Sequence, residues 1–531
     1  MTSIRPGLLL IAALCLAGSA PPGWFPGAGL LIVPGLAALY ALVTTAARPF
    51  LAVYVVGLVH FALFSWSLHH VLWAGYLAVV VLGAGYYAAV VMFVRALSGS
   101  LSAPLAFGLG VAAAFALRSV MPDIEYPHGQ PVHCLYRYPW LLGPVAWGGE
   151  ILANTLLAAF AAGAVDLYRS WHGARPEWGG ARNRAALLTA SLLVLCLVSP
   201  PAASPAAGPG TVDVVAMQPN LPPAFRHDAA GQPQFERSLV APTMRVAGPM
   251  SSSPPDLVVW PESAYPLMLD ASEDPARLLG RGWFIPLASG VRLLAGTLGS
   301  FDAGRRTPAC VLVDADGALL GYHEKQRLVA AGEYIPLVSY LPASWAEALM
   351  EQVEQRMGAG VPDFRPGDVQ PLLQTAAGVP FGVLICYDSA FPGVARDQVS
   401  RGARFLTVVS NESWYRGGAE LDQLEAITVC RAIETGTPIV RSTMDGATLA
   451  LSGSGQVTGR LPHGGSKSSV PGVLRSEISL GPGALPPLAW LHTAAAWLLA
   501  LSGVLAGWRL LRPAARLATD HRSSGGKPLQ E

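Results

Sequence analysis

A multi-pass α-helical membrane domain carrying one extramembrane α/β domain is the fold class this sequence predicts. Three observations predict it. Only 13% of the 531 residues are charged and 52% are hydrophobic, whereas a soluble domain carries about 25% charged residues. The apolar residues gather in long runs over the first 200 positions and in one more run near 487–507. Between these territories lies a stretch of ordinary composition, in which short β-prone runs recur with helical segments between them.

The apolar runs fall near 5–22, 27–46, 50–68, 71–94, 103–119, 147–168, 183–199 and 487–507, which makes eight candidate transmembrane helices. Several reach the roughly 20 residues a bilayer requires, while the first and fifth are short or interrupted. Arg5 followed by the run Leu8 to Leu16 could also open a signal peptide. No cleavage site leads into a soluble domain and further apolar runs follow at once, so a retained first helix is the better reading. With the N-terminus in the cytoplasm, the connections returning to that side hold Arg48, then Arg95, then Arg169, Arg175, Arg182 and Arg184. The tail adds Arg509, Arg512, Arg516 and Arg522 on the same side. The opposite side receives the PPGWFPG turn, the His69-His70 turn and a mixed loop around 120–146. This bias follows the positive-inside rule and places the middle domain outside the cytoplasm. The 14 tryptophans suit a protein with many interface anchors.

The expected organisation is a seven-helix domain over 1–200, a linker over 201–210, a globular domain over 211–484, an eighth helix over 485–508 and a basic tail over 509–531. PPAASPAAGPG, ending at Gly210, has linker composition. The net charge of +1 gives no reason to expect a nucleic-acid partner. The six cysteines are scattered, with no CxxC pair and no Cys/His cluster at ligand spacing. The chain is too long and too sparse in cysteine for a disulfide framework, although a single disulfide stays open.

In the middle domain the β-prone runs are TVDVVAMQ, DLVVW, ACVLVDADG, VPFGVLICYD, ARFLTVVSN and TPIVRST, with a helix expected over Leu421 to Glu434. Chemistry-bearing residues sit just past several of them. Glu262 follows DLVVW, where Pro261 ends the strand. Lys325 follows the hairpin turned by Asp316-Gly317, and Glu333 stands eight residues later. Cys386 ends VPFGVLI, and Asn411 and Glu412 end ARFLTVVS. Strand ends hold sites because a rigid sheet aims them. A carboxylate, a cation and a thiol form a chemically complete set for acyl chemistry: a base, an oxyanion partner and a nucleophile. Each residue also has an ordinary reading. Glu262 could be a surface carboxylate, Cys386 a buried hydrophobe, and Arg327 is as good a cation as Lys325. Spacing does not show that the three meet.

WPES with Glu262, YHEKQRLVAAGEYIP with Lys325 and Glu333, and GVLICYDSAFP with Cys386 together resemble the carbon–nitrogen hydrolase (nitrilase) superfamily. More narrowly, nearly the whole chain resembles the apolipoprotein N-acyltransferase family, which places a nitrilase-like domain between its seventh and eighth membrane helices. The resemblance implies a four-layer α-β-β-α sandwich with Glu262 as general base, Lys325 as oxyanion partner, Cys386 as nucleophile and Glu333 supporting the lysine. It implies that Tyr387, Asp388 and Trp414 line the substrate site. TVVSNESWY and RSTMDG, from Arg441, resemble two further stretches of the family. Three departures stand out. Ala330 and Ala331 replace a proline and an aromatic residue, Asp388 replaces a glutamate, and Leu421-Asp422-Gln423 stands where a histidine is often found.

What the resemblance implies is acyl transfer from a membrane phospholipid, usually phosphatidylethanolamine, through a thioester on Cys386. The acceptor is the α-amine of a lipoprotein's diacylglyceryl-cysteine. The expected setting is the bacterial inner membrane with the catalytic domain in the periplasm, the protein working as a monomer without a cofactor. Two alternatives stay open: a membrane-tethered amide or nitrile hydrolase using the same triad, and a catalytically degenerate membrane scaffold.

Overall fold

Inside hydrocarbon a backbone finds no water, and only a helix pairs all its N–H and C=O groups within the segment. In the computed structural model the first six apolar runs are accordingly helices: α1 (Pro6–Ser19), α2 (Ile32–Thr45), α3 (Pro49–Phe64), α4 (Trp73–Leu97), α5 (Ala103–Arg118) and α6 (Gly143–His172). The structure describes residues 6–98, 100–172, 190–191, 210–222, 231–265, 268–270, 285–302, 305–330, 332–357, 364–415, 418–462 and 471–511. The seventh apolar run (but for positions 190–191), most of the linker and most of the basic tail lie outside those residues. Among the described residues, three helical stretches are long and apolar enough to cross a bilayer: Ala28–Thr45, Trp73–Leu97 and Gly143–His172. Helices α1, α3 and α5 have 14, 16 and 16 residues, short of the roughly 20 of an upright span. Helix α6 is broken at Gly148–Gly149, where Gly149 has φ 64° and ψ −167°. A glycine pair is a recognised cause of such a break, and a Cβ on Gly149 would lie 2.5 Å from His492 Nδ1.

Among the described residues the middle domain contains two six-strand sheet paths. The first runs β13 (Gly472–Ser479), β1 (Thr211–Gln218), β2 (Leu257–Val259), β4 (Arg292–Asp302), β5 (Arg305–Val313), β6 (Leu319–Glu324), with β3 (Met268–Asp270) also on β4. The second runs β12 (Val457–Arg460), β11 (Leu449–Leu451), β10 (Ile439–Thr443), β9 (Phe405–Ser410), β8 (Pro380–Ile385), β7 (Leu373–Gln374). The β5–β6 hairpin, the strand before Cys386 and the strand before Asn411 fall where the sequence places them. Period-two alternation sets the layers. Val212, Val214 and Ala216 of β1 pack with Phe381, Val383 and Ile385 of β8 in a core between the sheets, while Val215 and Met217 turn to the outer face. Ser442 pins the two sheets together, its hydroxyl donating to the carbonyls of Met217 (2.7 Å) and Val259 (3.0 Å).

Helices complete the sandwich. On the outer face lies α7 (Ala241–Ala247), whose Thr243 hydroxyl accepts the indole N–H of buried Trp260 at 3.0 Å. Helix α8 (Ala343–Met357) lies on the connection after β6. On the other face, α9 (Pro392–Ser400) and α10 (Glu420–Thr435) cover the second sheet. Their apolar residues belong to one continuous core with the membrane helices, which includes Val394, Ile427, Phe64, Val111 and Leu157. The chain then enters α11 (Trp490–Leu511), which packs on α4, α5 and α6.

The helix connections on one side of the bundle all touch the α/β domain or each other. Ser67 accepts the Ala419 N–H at 3.1 Å, the Gln423 side chain donates to the Phe64 carbonyl at 2.9 Å, and Tyr136 donates to Asp422 at 2.9 Å. Thus the Leu421-Asp422-Gln423 departure is a docking segment against the membrane helices. The five described cysteines, Cys15, Cys134, Cys310, Cys386 and Cys430, are free.

Gly296 on β4 has a specific steric role. A Cβ there would lie 2.4 Å from the Pro261 carbonyl and 2.6 Å from Glu262 Cα. Overpacking of this kind costs about 1–3 kcal/mol. Gly296→Ala is expected to lower the unfolding free energy by that amount and to displace Glu262, and a denaturant titration alongside an activity assay checks both.

Candidate active site

Cys386 follows β8 directly and has φ +50°, the left-handed region that a non-glycine residue adopts only when its surroundings impose it. The imposing groups are identifiable. The Ser389 hydroxyl donates to the Cys386 carbonyl at 2.8 Å. Asp388 is fully buried and accepts three backbone N–H groups: Ile385 at 3.1 Å on Oδ2, and Gln326 at 3.1 Å and Arg327 at 2.7 Å on Oδ1. Asp388 was expected to line the substrate site, but here both its oxygens are spent on backbone. It clamps the turn of Cys386 to the chain just past Lys325. Burial pushes its carboxyl up to about 7, against the pull of Lys325 and the three N–H donors.

Lys325 leaves β6 wholly buried. Its ammonium donates to Glu262 Oε1 at 3.0 Å and Glu333 Oε1 at 2.6 Å. The two carboxylates are fixed in turn. Glu262 Oε2 accepts the Asn411 N–H at 2.8 Å, and Glu333 Oε2 accepts the Val329 N–H at 2.8 Å. Burial works against the lysine's charge, but Glu262 and Glu333 outweigh it and hold the ammonium well above its ordinary value. Burial raises the Glu333 carboxyl, with Lys325 opposing. The Cys386 thiol is pushed up to about 12, first by burial and then by the Glu262 carboxylate, with Lys325 pulling it down. The site therefore holds a neutral thiol with a carboxylate and an ammonium beside it. Of the described cysteines in the α/β domain, Cys310 and Cys430 are fully buried and Cys386 alone is partly open to solvent.

The structure brings Glu262, Lys325, Glu333 and Cys386 together. It separates Arg327, whose exposed guanidinium lies 3.4 Å from Glu125. Tyr387 faces the membrane domain: its hydroxyl donates to the Glu125 carbonyl at 2.7 Å and its ring stacks on His128. Trp414 is 49% exposed on the turn Ser413–Tyr415. Glu412 is buried and paired with Arg441, which also donates to Thr428 at 2.7 Å, so both charges are structural. Ala330 is described and Ala331 lies outside the described residues. The partners of Asp388 and Tyr387 could not be read from sequence, because Tyr387 and Glu125 are 262 positions apart.

One group of metal-capable side chains occurs among the described residues: His133, Glu150 and Cys430. Glu150 Oε1 already accepts His133 at 2.8 Å and the Arg431 guanidinium at 2.6 Å. A guanidinium on the same oxygen makes this an ion-pair relay rather than a cation site.

Two sheets face to face between helical layers, with a Glu-Lys-Cys set at three strand exits, define a carbon–nitrogen hydrolase domain. The carbon-nitrogen hydrolase family model matches residues 246–468. Beyond that domain, the chain is 30% identical to the apolipoprotein N-acyltransferase of Azotobacter vinelandii over 72% of this chain and 71% of that one. It is 28% identical to the Caulobacter vibrioides enzyme of that name over 85% of each chain. The match to the Geobacter metallireducens enzyme, 29% identical, spans 47% of this chain and 45% of that one, less than half the relative's length. The chain belongs to the apolipoprotein N-acyltransferase family, and its apolar helices make it a membrane protein.

Removing the Asp388 carboxylate leaves three backbone donors unpaired in a dry site, at about 1–3 kcal/mol for each lost partner. Asp388→Ala is expected to destabilise the protein by at least about 3 kcal/mol and to lower activity by loosening Lys325 from Cys386. Thermal unfolding and single-turnover acylation of Cys386 measure the two effects.

Proposed function

We propose that this chain moves a fatty acyl group from a membrane phospholipid to the α-amine of a lipoprotein's diacylglyceryl-cysteine, with Cys386 carrying the group between them. One observation carries the reading: a buried lysine bridges two carboxylates beside a positive-φ cysteine, in a domain seated on membrane-type helices through a shared core.

In the first half-reaction Glu262 takes the thiol proton as sulfur attacks the ester carbonyl. The tetrahedral oxyanion faces Lys325. The carbon–oxygen bond breaks, Glu262 returns the proton to the departing oxygen, and a lysophospholipid leaves a thioester on Cys386. In the second, the amine attacks the thioester carbonyl, Glu262 removes the amine's proton, the carbon–sulfur bond breaks to leave the amide, and that proton restores the thiol. The raised thiol pKa fits a sulfur that ionises only when Glu262 accepts its proton during attack. Glu333 holds the lysine, and Trp414 lies at the mouth of the site.

The lipid substrates explain the seating. Withdrawing acyl chains from hydrocarbon costs about 0.8 kcal/mol per CH₂, so the reacting carbonyl stays near the bilayer surface. We place the domain over 211–484 on the periplasmic side of the inner membrane. The seven-helix domain over 1–200, the linker 201–210, the eighth helix over 485–508 and the tail 509–531 complete the chain. Phosphatidylethanolamine is the donor, and the protein works as a monomer. The charge bias of Arg48, Arg95 and Arg169 toward the far side of the bundle supports this orientation.

Intact-protein mass after incubation with phosphatidylethanolamine tests the reading. A fatty-acyl adduct is expected on the wild-type chain and none on Cys386→Ala, which stays folded and inserted. Equal transfer by that variant overturns the assignment. Glu262→Gln separates base from field. Transfer should fall by roughly a hundred- to ten-thousandfold, while loss of the negative charge moves the thiol's alkylation midpoint to lower pH.

A further inference from the structure

A cavity of about 840 Å³ lies in the seam between the α/β domain and the membrane helices, and none of Glu262, Lys325 and Cys386 lines it. Ala112 and Ala116 of α5, Ile151 of α6 and Ala496 of α11 give its floor an apolar strip, beside Glu150 and Asn154 of α6. Its upper wall is polar, formed by α9 and by Arg327. The C-terminal end of α5 and the N-terminal parts of α6 and α11 meet here, at the end of the helix bundle that faces the α/β domain.

The polar wall is built for a charged group. Arg396 donates to the Ala489 carbonyl at 3.1 Å and is 3.9 Å from Glu434, and Arg327 is 3.4 Å from Glu125. Each guanidinium has five N–H donors, so both keep unused ones. Between them the first turn of α9 reaches the cavity at Pro392 and Gly393, and a Cβ built on Gly393 meets nothing within 4 Å. His492, 91% buried, also lines the cavity. Its Nδ1 lies 3.0 Å from Glu434, and among the described residues nothing is in hydrogen-bond reach of its Nε2. A buried ring nitrogen without a partner is costly unless something else occupies the space beside it. Four carboxylates, Glu125, Glu150, Asp397 and Glu434, also line the cavity; Arg327, Arg431, Arg401 and His492 lie beside them, and together the four disfavour a purely anionic ligand.

We propose that this cavity holds a zwitterionic phospholipid, separate from the acyl donor at Cys386. Its phosphate lies between Arg327, Arg396, His492 and the α9 N-terminus, its ammonium toward Glu125 and Asp397, and one acyl chain along the alanine floor. The site needs no chemistry at Cys386, so it stands apart from the transfer reaction.

The test uses full-length protein carrying Cys386→Ala, reconstituted in bilayers. The probe is a phosphatidylethanolamine with a diazirine near the carboxyl end of one acyl chain. After irradiation, peptide mapping should place label on 112–120 and 490–496. Arg396→Gln removes a charged donor, and Ala116→Phe fills the floor without touching a polar group. Each should cut that label by about tenfold or more, with thermal unfolding confirming that the variants fold. Unchanged label at those segments in a folded Ala116→Phe protein overturns the site, as does labelling confined to the surroundings of Trp414. Inorganic phosphate or glycerophosphoethanolamine that displaces the label as well as unlabelled phosphatidylethanolamine does would show an anion site and overturn the lipid.

Discussion

The buried ammonium of Lys325 is the constraint around which the site is arranged. It has no exposed surface, and two carboxylates at 3.0 and 2.6 Å are its neutralising partners. Removing one partner from a buried pair costs about 3–5 kcal/mol, because the charge left behind cannot reach water. Glu262 and Glu333 are therefore held as firmly as the lysine. Their second oxygens are tied to the Asn411 and Val329 amides. Asp388 adds the last tie, joining the chain after Lys325 to the turn of Cys386. The positive φ of Cys386 is imposed by this mesh, which aims the thiol.

A second set of buried charges joins the domain to the helices beneath it. Arg431 of α10 lies between Glu150 of α6 and Glu434 of its own helix, and Glu434 reaches His492 of α11. The glycine break in α6 provides the room for His492. Together with the Tyr387–Glu125 contact, these pairs seat the α/β domain directly on the bundle. A domain so seated keeps Cys386 at a set height over the helix bundle, which a flexible tether would not do.

The strand ends were legible because β-prone runs and their stops are local properties. DLVVW meeting Pro261, the Asp316-Gly317 turn and the run before Cys386 are all visible within a few residues. The choice of Lys325 over Arg327 was not legible from the residues themselves. The two are neighbours of like charge, and only the exit angle of β6 buries one and leaves the other at the surface. Asp388 misleads for the same reason. An aspartate after a nucleophile reads as a pocket residue until the backbone donors from another loop are seen to occupy it. The shorter side chain suits a clamp that reaches amides at 2.7–3.1 Å.

By itself the sequence determined which segments are apolar helices, which form strands, and which residue types stand at strand exits, since hydrophobic run length, alternation and turn chemistry act over short distances. Tertiary structure alone decided which of those polar residues meet. Glu262, Lys325 and Cys386 are more than 60 positions apart from one another, and they converge because parallel β8 and β9, the β5–β6 hairpin and β2 end on one rim. It also decided that Asp388 binds backbone, that Tyr387 leans on the membrane domain, and that a polar-walled cavity opens in the seam between the two. Those outcomes depend on packing between distant elements, where burial makes every unpaired charge expensive and leaves few arrangements to choose from.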